Sequence, residues 1–270
     1  MTISIAAKTD PGKERDQNED AFVFCPDLSH PEWDLAKAIA CQSDLGTLLA
    51  VADGMGGANA GEVASAIAIE TIKQCFSQPN LSFIASDEMQ ITAFLNTTIK
   101  TADKAIKDYI VKDPETIGMG TTIVICWIVK DKAFVAWCGD SRCYVYNPAQ
   151  GLKALTKDHS YVQELVDSGQ LTEEEAFFHP DNNIITRGLG DIDTEVGADI
   201  VSHAINPNDV FLLCSDGLCG YCRKQAIEKV LNHYYQNVPD CCEKLMGLAL
   251  AAGGYDNICI VLAGISDEDL

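Results

Sequence analysis

The chain has 270 residues, with 40 acidic against 19 basic side chains and a formal net charge of −21. So acidic a surface repels phosphate backbones, so no nucleic-acid partner is expected, and most of the carboxylates need do no more than keep the protein in solution. No apolar run approaches the roughly 20 residues of a membrane helix and no secretory signal is visible, so the cysteines, twelve in all, read as reduced thiols of a cytoplasmic protein.

Taken in chain order, residues 2–9 and 21–25 are strand-like, and 27–44, with two prolines, reads as an irregular excursion. A strand over 47–52 stops abruptly at Asp53-Gly54-Met55-Gly56-Gly57. A helix follows, with Val63, Ala66 and Ile67 on one face and Ile69, Ile72 and Phe76 extending it. Ser86 is the expected N-cap of a second helix carrying Ile91, Leu95, Thr98, Ala102, Ile106 and Tyr109 at helical spacing. Residues 121–129 and 133–137 flank a short turn and form a hairpin; 143–146 and 152–155 flank another. Short helices over 161–168 and 172–176 come next, then strands near 194–199, 210–214 and 257–263, with helices over 224–232 and 240–251.

Successive hairpins with few crossover helices do not make a doubly wound parallel sheet. The expected fold is α+β: a four-layer α-β-β-α sandwich of two mainly antiparallel sheets flanked by helix pairs. Strands buried on both sides account for the nearly continuous apolar runs. No segment has the composition of a linker and no period repeats, so residues 1–270 read as one domain, with a monomer as the default.

Four segments share one pattern, in which an apolar strand meets an aspartate beside glycine, serine or asparagine: Ala52-Asp53-Gly54, Gly139-Asp140-Ser141, Ser215-Asp216-Gly217 and Asp256-Asn257. Each alone is an ordinary turn. Four in one domain, on strands that lie side by side, would bring their carboxylates to one rim. Converging carboxylates repel one another unless cations sit among them, and hard oxygen ligands select Mg²⁺ or Mn²⁺. Two such ions about 3.5 to 4 Å apart can share a bridging carboxylate and activate a water for in-line attack on a phosphate ester. The substrate's dianion then needs a positive clamp, for which Arg15 is the candidate: alone it reads as an ordinary surface arginine, but its place just before an acidic pair that opens a strand favours the clamp.

With these residues in place, the chain resembles the metal-dependent protein phosphatases of the protein phosphatase 2C type, especially bacterial members. The resemblance rests on motifs in order: Arg15-Asp16-Gln17-Asn18-Glu19-Asp20, Ala52-Asp53-Gly54-Met55-Gly56-Gly57, Met119-Gly120-Thr121-Thr122 and Gly139-Asp140-Ser141-Arg142. Then come Thr156-Lys157-Asp158-His159-Ser160, Thr186-Arg187-Gly188-Leu189-Gly190, Ser215-Asp216-Gly217-Leu218 and Asp256-Asn257. It implies that Asp53 bridges two ions, that the Gly54 carbonyl binds one, and that Asp216 and Asp256 complete the other. Glu19 and Asp20 would hold metal-bound waters, Arg15 would bind the phosphate, and Asp140 with Asp216 would match a third metal position. Residues 160–182 would be the family's mobile flap. The implied partners are phosphoserine and phosphothreonine proteins, with a cognate serine/threonine kinase and its targets.

Position 55 is Met where many eukaryotic relatives carry a general-acid histidine. Cys219-Gly220-Tyr221-Cys222 is a C-x-x-C that a zinc knuckle could use with Cys241-Cys242, but chance in a cysteine-rich chain is the favoured reading. His159 is expected to be structural, and the acidic end Asp267-Glu268-Asp269 to be a solvated tail. A phosphoprotein-binding pseudophosphatase or kinase regulator, and a phosphodiesterase using the same ions, are the competing functions. All four strand-end aspartates are present, which counts against the first, and the acidic surface counts against the second.

Overall fold

The computed structural model describes residues 1–33, 35–56 and 60–266. Gly57 of the glycine run and the acidic end therefore lie outside the described residues. Two antiparallel sheets form the centre. One has the order β3(Lys37–Cys41)-β1(Thr2–Asp10)-β12(Ile258–Ser266)-β11(Val210–Cys214)-β8(Arg142–Asn147)-β9(Gly151–Ala154). The other runs β10(Asp199–Ala204)-β7(Lys132–Cys138)-β6(Ile123–Val129)-β4(Thr47–Met55)-β2(Asp20–Cys25), with the short β5(Gly120–Thr121) paired to the end of β4.

Each central strand serves two cores by its two-residue period. In β6, Ile123, Ile125, Trp127 and Val129 face an outer helical layer, while Val124, Cys126 and Ile128 face the other sheet. In β12, Ile258, Ile260 and Leu262 face the opposite helical layer and Cys259, Val261 and Ala263 face inward. The outer layers are α1(Gly61–Phe76) with α3(Glu88–Lys112) on one side and α7(Lys224–Tyr234) with α8(Val238–Ala251) on the other. The expected four-layer sandwich is thus the observed one, and its central strands are continuous apolar runs because neither face meets water.

Details differ from the expectation where local signals mislead. α1 buries Ala64, Ala68 and Ile72, and leaves Ala66 exposed, because small residues let the helix approach β4 closely. Asp87, not Ser86, caps α3, its carboxylate accepting from Gln90 N at 3.0 Å. Ile110 replaces Tyr109 on the buried face of that helix. A short α2(Leu81–Ile84) precedes it. The proline-containing excursion holds the edge strand β3, and the strand expected near 194–199 is β10 at Asp199–Ala204. Trp127 anchors the α1/α3 side, in edge-on contact with Phe76 and Phe94 and donating its indole N–H to Leu45 O at 2.8 Å.

Among the described residues no helix is long and apolar enough to cross a membrane. Cys219, Cys222, Cys241 and Cys242 all lie in the apolar core between α7/α8 and their sheet, packed as small hydrophobes.

Candidate active site

The same alternation that builds the inter-sheet core places the acidic residues. Phe22 and Phe24 of β2, and Leu49 and Val51 of β4, point between the sheets. Two residues further along each strand stand Asp20 and Asp53, direct cross-strand partners in the antiparallel register. A one-residue slip in either strand would turn its aspartate outward. From the other sheet, Asp216 begins α6(Asp216–Cys219) at the end of β11, and Asp256 immediately precedes Asn257 and β12. Asp140 sits in the turn between β7 and β8. The four strand-end aspartates and Asp20 therefore gather at one open end of the inter-sheet core.

Their mutual fields register the convergence. Burial first, and then Asp20, Asp140 and Asp256, hold the Asp53 carboxyl well above the usual carboxylate range. Burial and then Asp53, Asp140 and Asp256 do the same to Asp216. Burial, with the charges of Asp216 and Asp256, pushes Asp20 up to about 8 despite a hydrogen bond from Ser215. Asp140 is raised to about 6 by burial and by Asp158, against the opposing pull of Arg142. Glu19 is raised by burial and by Glu62.

This arrangement fits divalent cations. Five carboxyl groups crowd one rim, burial and neighbouring charges lift the proton affinity of Asp20, Asp53, Asp140 and Asp216, and Asp20 Oδ1 is buried with no hydrogen-bond partner. Among the described residues no three His, Cys, Asp or Glu side chains enclose one point as a dehydrated cage would. Ions that keep several waters and take one or two carboxylates each suit such a rim.

The backbone around the rim is tied down by hydrogen bonds that no local pattern signals. Ser215 Oγ donates to Asp20 Oδ2 at 2.7 Å and accepts from Cys259 N at 2.8 Å, joining the two sheets at the site. Thr121 Oγ1 donates to Asp53 O at 2.8 Å, and Asp53 N donates to Thr122 Oγ1 at 3.2 Å. Thr122 Oγ1 also bonds Ser141 Oγ at 2.7 Å, beside Asp140. Asn257 accepts from Glu19 N at 2.8 Å and donates to Pro11 O at 3.0 Å and Gln17 O at 2.8 Å, binding the loop that carries Arg15 to the strand that follows Asp256.

His159 has the structural role expected of it. Its Nδ1 accepts from Gly139 N at 3.0 Å, its ring stacks on Trp137, and it contacts Arg187. Next to it, Asp158 takes both ends of the Arg142 guanidinium, at 2.8 and 2.6 Å, so the loop before residue 160 holds the turn that presents Asp140. Met55 packs its thioether end toward Gly188 and Gly120.

Arg15 stands at the rim beside Asp256 and already holds a partner: Nη2 donates to Asp256 Oδ2 at 2.8 Å. That hydrogen bond is the main cause of its raised pKa. A guanidinium has five N–H donors, so this contact leaves capacity for a further anion. Glu62, which the sequence motifs leave out, brings another carboxylate to Glu19.

Gly54 is fixed by close approach. A Cβ there would lie 2.3 Å from Gly61 O and 2.6 Å from Glu19 O. Gly54→Ala is expected to push β4 away from α1 and Glu19, lowering the thermal midpoint and the stabilisation gained on adding Mn²⁺ together. A variant with wild-type values of both would show that the backbone there has slack.

A rim of oxygen ligands thus stands at one end of a two-sheet sandwich. The family profile for Protein phosphatase 2C matches residues 12–258. The chain is 32% identical to the serine/threonine protein phosphatase PstP of Mycobacterium tuberculosis over all of its own length and 46% of that protein's. It is 32% identical to the serine/threonine phosphatase stp of Listeria monocytogenes, covering 94% of this chain and 93% of the relative. The solved structure of the serine/threonine phosphatase Stp1 from Staphylococcus aureus superposes with a TM-score of 0.83 at 35% identity, over 97% of this chain and 94% of that one. The catalytic domain of PstP in complex with two manganese ions superposes with a TM-score of 0.78 at 30% identity, over 99% and 100% of the two chains. The chain belongs to the protein phosphatase 2C family. It spans about half the length of the mycobacterial relative.

Proposed function

We propose that this protein is a metal-dependent protein serine/threonine phosphatase, hydrolysing phosphoserine and phosphothreonine in proteins to the free hydroxyl and inorganic phosphate. The observation that carries the reading is the register-paired Asp20 and Asp53 facing Asp140, Asp216 and Asp256 across the end of the sandwich. Family membership and the two-manganese complex of PstP's catalytic domain support the same reading.

In it, Asp53, the Gly54 carbonyl, Asp216 and Asp256 would hold two Mn²⁺ or Mg²⁺ ions, and Asp140 with Asp216 would hold a third. When bound, the ions supply charge neutralisation and a water acidic enough to attack at neutral pH. The protein's own residues do the rest. Glu19 and Asp20 orient water by accepting its hydrogens, and Ser215 keeps Asp20 turned inward through the 2.7 Å bond. Arg15 binds the phosphoryl oxygens with the donors not given to Asp256. Residues 1–270 act as one catalytic domain, in which 160–182 is a flap of two short helices, α4(Tyr161–Asp167) and α5(Glu173–Phe177).

A cognate serine/threonine kinase and its targets are the partners we propose, with the enzyme a monomer in the cytoplasm. The cytoplasmic assignment rests on twelve unpaired cysteines, most of them buried.

Phosphothreonine-peptide hydrolysis with Mn²⁺, and with EDTA, tests the reading directly. Turnover is expected with Mn²⁺ and none in chelator. Arg15→Ala should raise KM about tenfold or more, as loss of a charged hydrogen bond does. Protein that binds Mn²⁺ yet releases no phosphate from any phosphopeptide would be a pseudophosphatase instead.

A further inference from the structure

We propose that Tyr221 and Tyr255 form an aromatic ledge at the mouth of the site that selects phosphopeptides carrying an aromatic residue beside the phosphorylated serine or threonine; this rests on the phosphatase reading above. Both rings are large and open to solvent, 40% and 53% exposed, yet they pack on each other, with centroids 5.5 Å apart and planes inclined by 44°. Neither ring belongs to the core clusters.

Their position follows from the chain. Tyr255 immediately precedes Asp256, whose carboxylate Arg15 holds at 2.8 Å. Tyr221 follows the short helix that Asp216 begins, and its phenol lies close enough to Asp216, Asp256 and Arg15 to feel the charge of each. The ledge therefore borders the phosphate position from the side of the second sheet.

The backbone that carries both rings is also braced. Gly253 has φ +135°, and a Cβ on it would lie 2.1 Å from Tyr255 Cε2, so the ring rests directly against backbone. Gly254 O accepts from Lys13 N at 2.6 Å, and Lys13 Nζ donates to Leu250 O at 2.8 Å, bracing that segment against the Arg15 loop. Tyr221 sits between Gly220, whose N–H bonds Asp216 O, and the buried Cys222, whose N–H bonds Leu218 O. A rigid tyrosine offers wide contact area at small entropic cost.

The chemistry of the occupant follows from the surroundings. A peptide residue advances by about 3.5 Å, so the neighbours of a phosphorylated residue at Arg15 must pass over what borders it. An acidic neighbour would meet Asp216 and Asp256 and a surface of net charge −21. An aromatic neighbour would instead complete an offset or edge-on cluster with the two tyrosines.

The test uses the full chain loaded with Mn²⁺ and two matched phosphothreonine peptides, with phenylalanine or alanine flanking the phosphothreonine. The expected kcat/KM ratio is about tenfold in favour of the phenylalanine peptide, expressed in KM. The ratio should fall toward one in Tyr221→Ala, in Tyr255→Ala and in the double variant, and survive in Tyr255→Phe. Because the ratio is read within each variant, differences in stability or metal loading cancel. Equal hydrolysis of both peptides by the wild type, or an undiminished ratio in the double variant, overturns the ledge alone. Hydrolysis of neither peptide overturns the phosphatase reading, and the ledge with it.

Discussion

Stripped of divalent cations, the protein should lose stability as the pH rises from about 6 through 8, and Mn²⁺ should restore it. Asp140 is raised to about 6 and Asp20 to about 8, and Asp53 and Asp216 are raised as well. An unfolded aspartate titrates near 3.9. The folded state therefore binds more protons than the unfolded chain over this range, so stability falls with rising pH. The favourable contribution is complete below the unfolded value and is lost as the pH passes each folded one. Each pKa unit is worth about 1.4 kcal/mol, so the cluster costs the metal-free protein several kcal/mol at pH 9. For a chain of this size that is on the order of 10 °C in thermal midpoint between pH 6 and pH 9.

Asp216→Asn carries the same argument to activity. It removes one charge from the crowd, so in EDTA at pH 8 the variant should melt above the wild type and show a shallower pH dependence. With Mn²⁺ the order should reverse, because the proposed mechanism makes Asp216 a ligand, and phosphopeptide turnover should fall by on the order of 10³, comparable to deleting a principal electrostatic group. Thermal melts with and without EDTA, paired with turnover, separate the effects. A metal-free midpoint that is flat between pH 6 and pH 9, and no higher in the variant, would mean the carboxylates do not burden the fold.

What the sequence made legible follows physical range. The runs in β6, β7, β11 and β12 are continuous because both faces are buried, and they are visible in any short window. The edge strands β3 and β10 carry no such signal: β3 reads Lys-Ala-Ile-Ala-Cys with Ile39 exposed, and β10 mixes exposed and half-buried positions. The face of α1 was obscured because Val63 and Ile67 are louder in the sequence than Ala64 and Ala68, which do the close packing.

The site divides in the same way. Asp53, Asp140, Asp216 and Asp256 stand out because each interrupts or adjoins an apolar strand beside a small polar residue. Ser215 reaches Asp20 across 195 positions and Asn257 reaches Glu19 across 238. No local pattern encodes such a bond; it exists only once the sheets have stacked. The pairing of Arg15 with Asp256, across 241 positions, is of the same kind.

Asn257→Ala should therefore injure stability and catalysis together, although Asn257 touches neither phosphate nor metal in the proposed mechanism. The side chain is 5% exposed and makes three hydrogen bonds, from Glu19 N and to the carbonyls of Pro11 and Gln17. Alanine leaves those backbone groups unmatched, and a buried group so stranded costs about 1–3 kcal/mol. The expected loss is about 2–4 kcal/mol, allowing for water reaching part of the loop. The same bonds fix the loop bearing Arg15 and the backbone of Glu19, so kcat/KM on a phosphothreonine peptide should drop on the order of 100-fold. Assays at a temperature where circular dichroism shows the variant folded separate misplacement from unfolding. Asn257→Asp sharpens the test: it keeps an acceptor for Glu19 N but presents oxygen to the carbonyls of Pro11 and Gln17, and adds charge to an acidic rim. It should fare no better than alanine without metal. If Asn257→Ala instead kept wild-type kcat/KM while folded, the Arg15 loop would owe its position to the Arg15–Asp256 contact and the Lys13 bonds, and the asparagine would be a brace for stability alone.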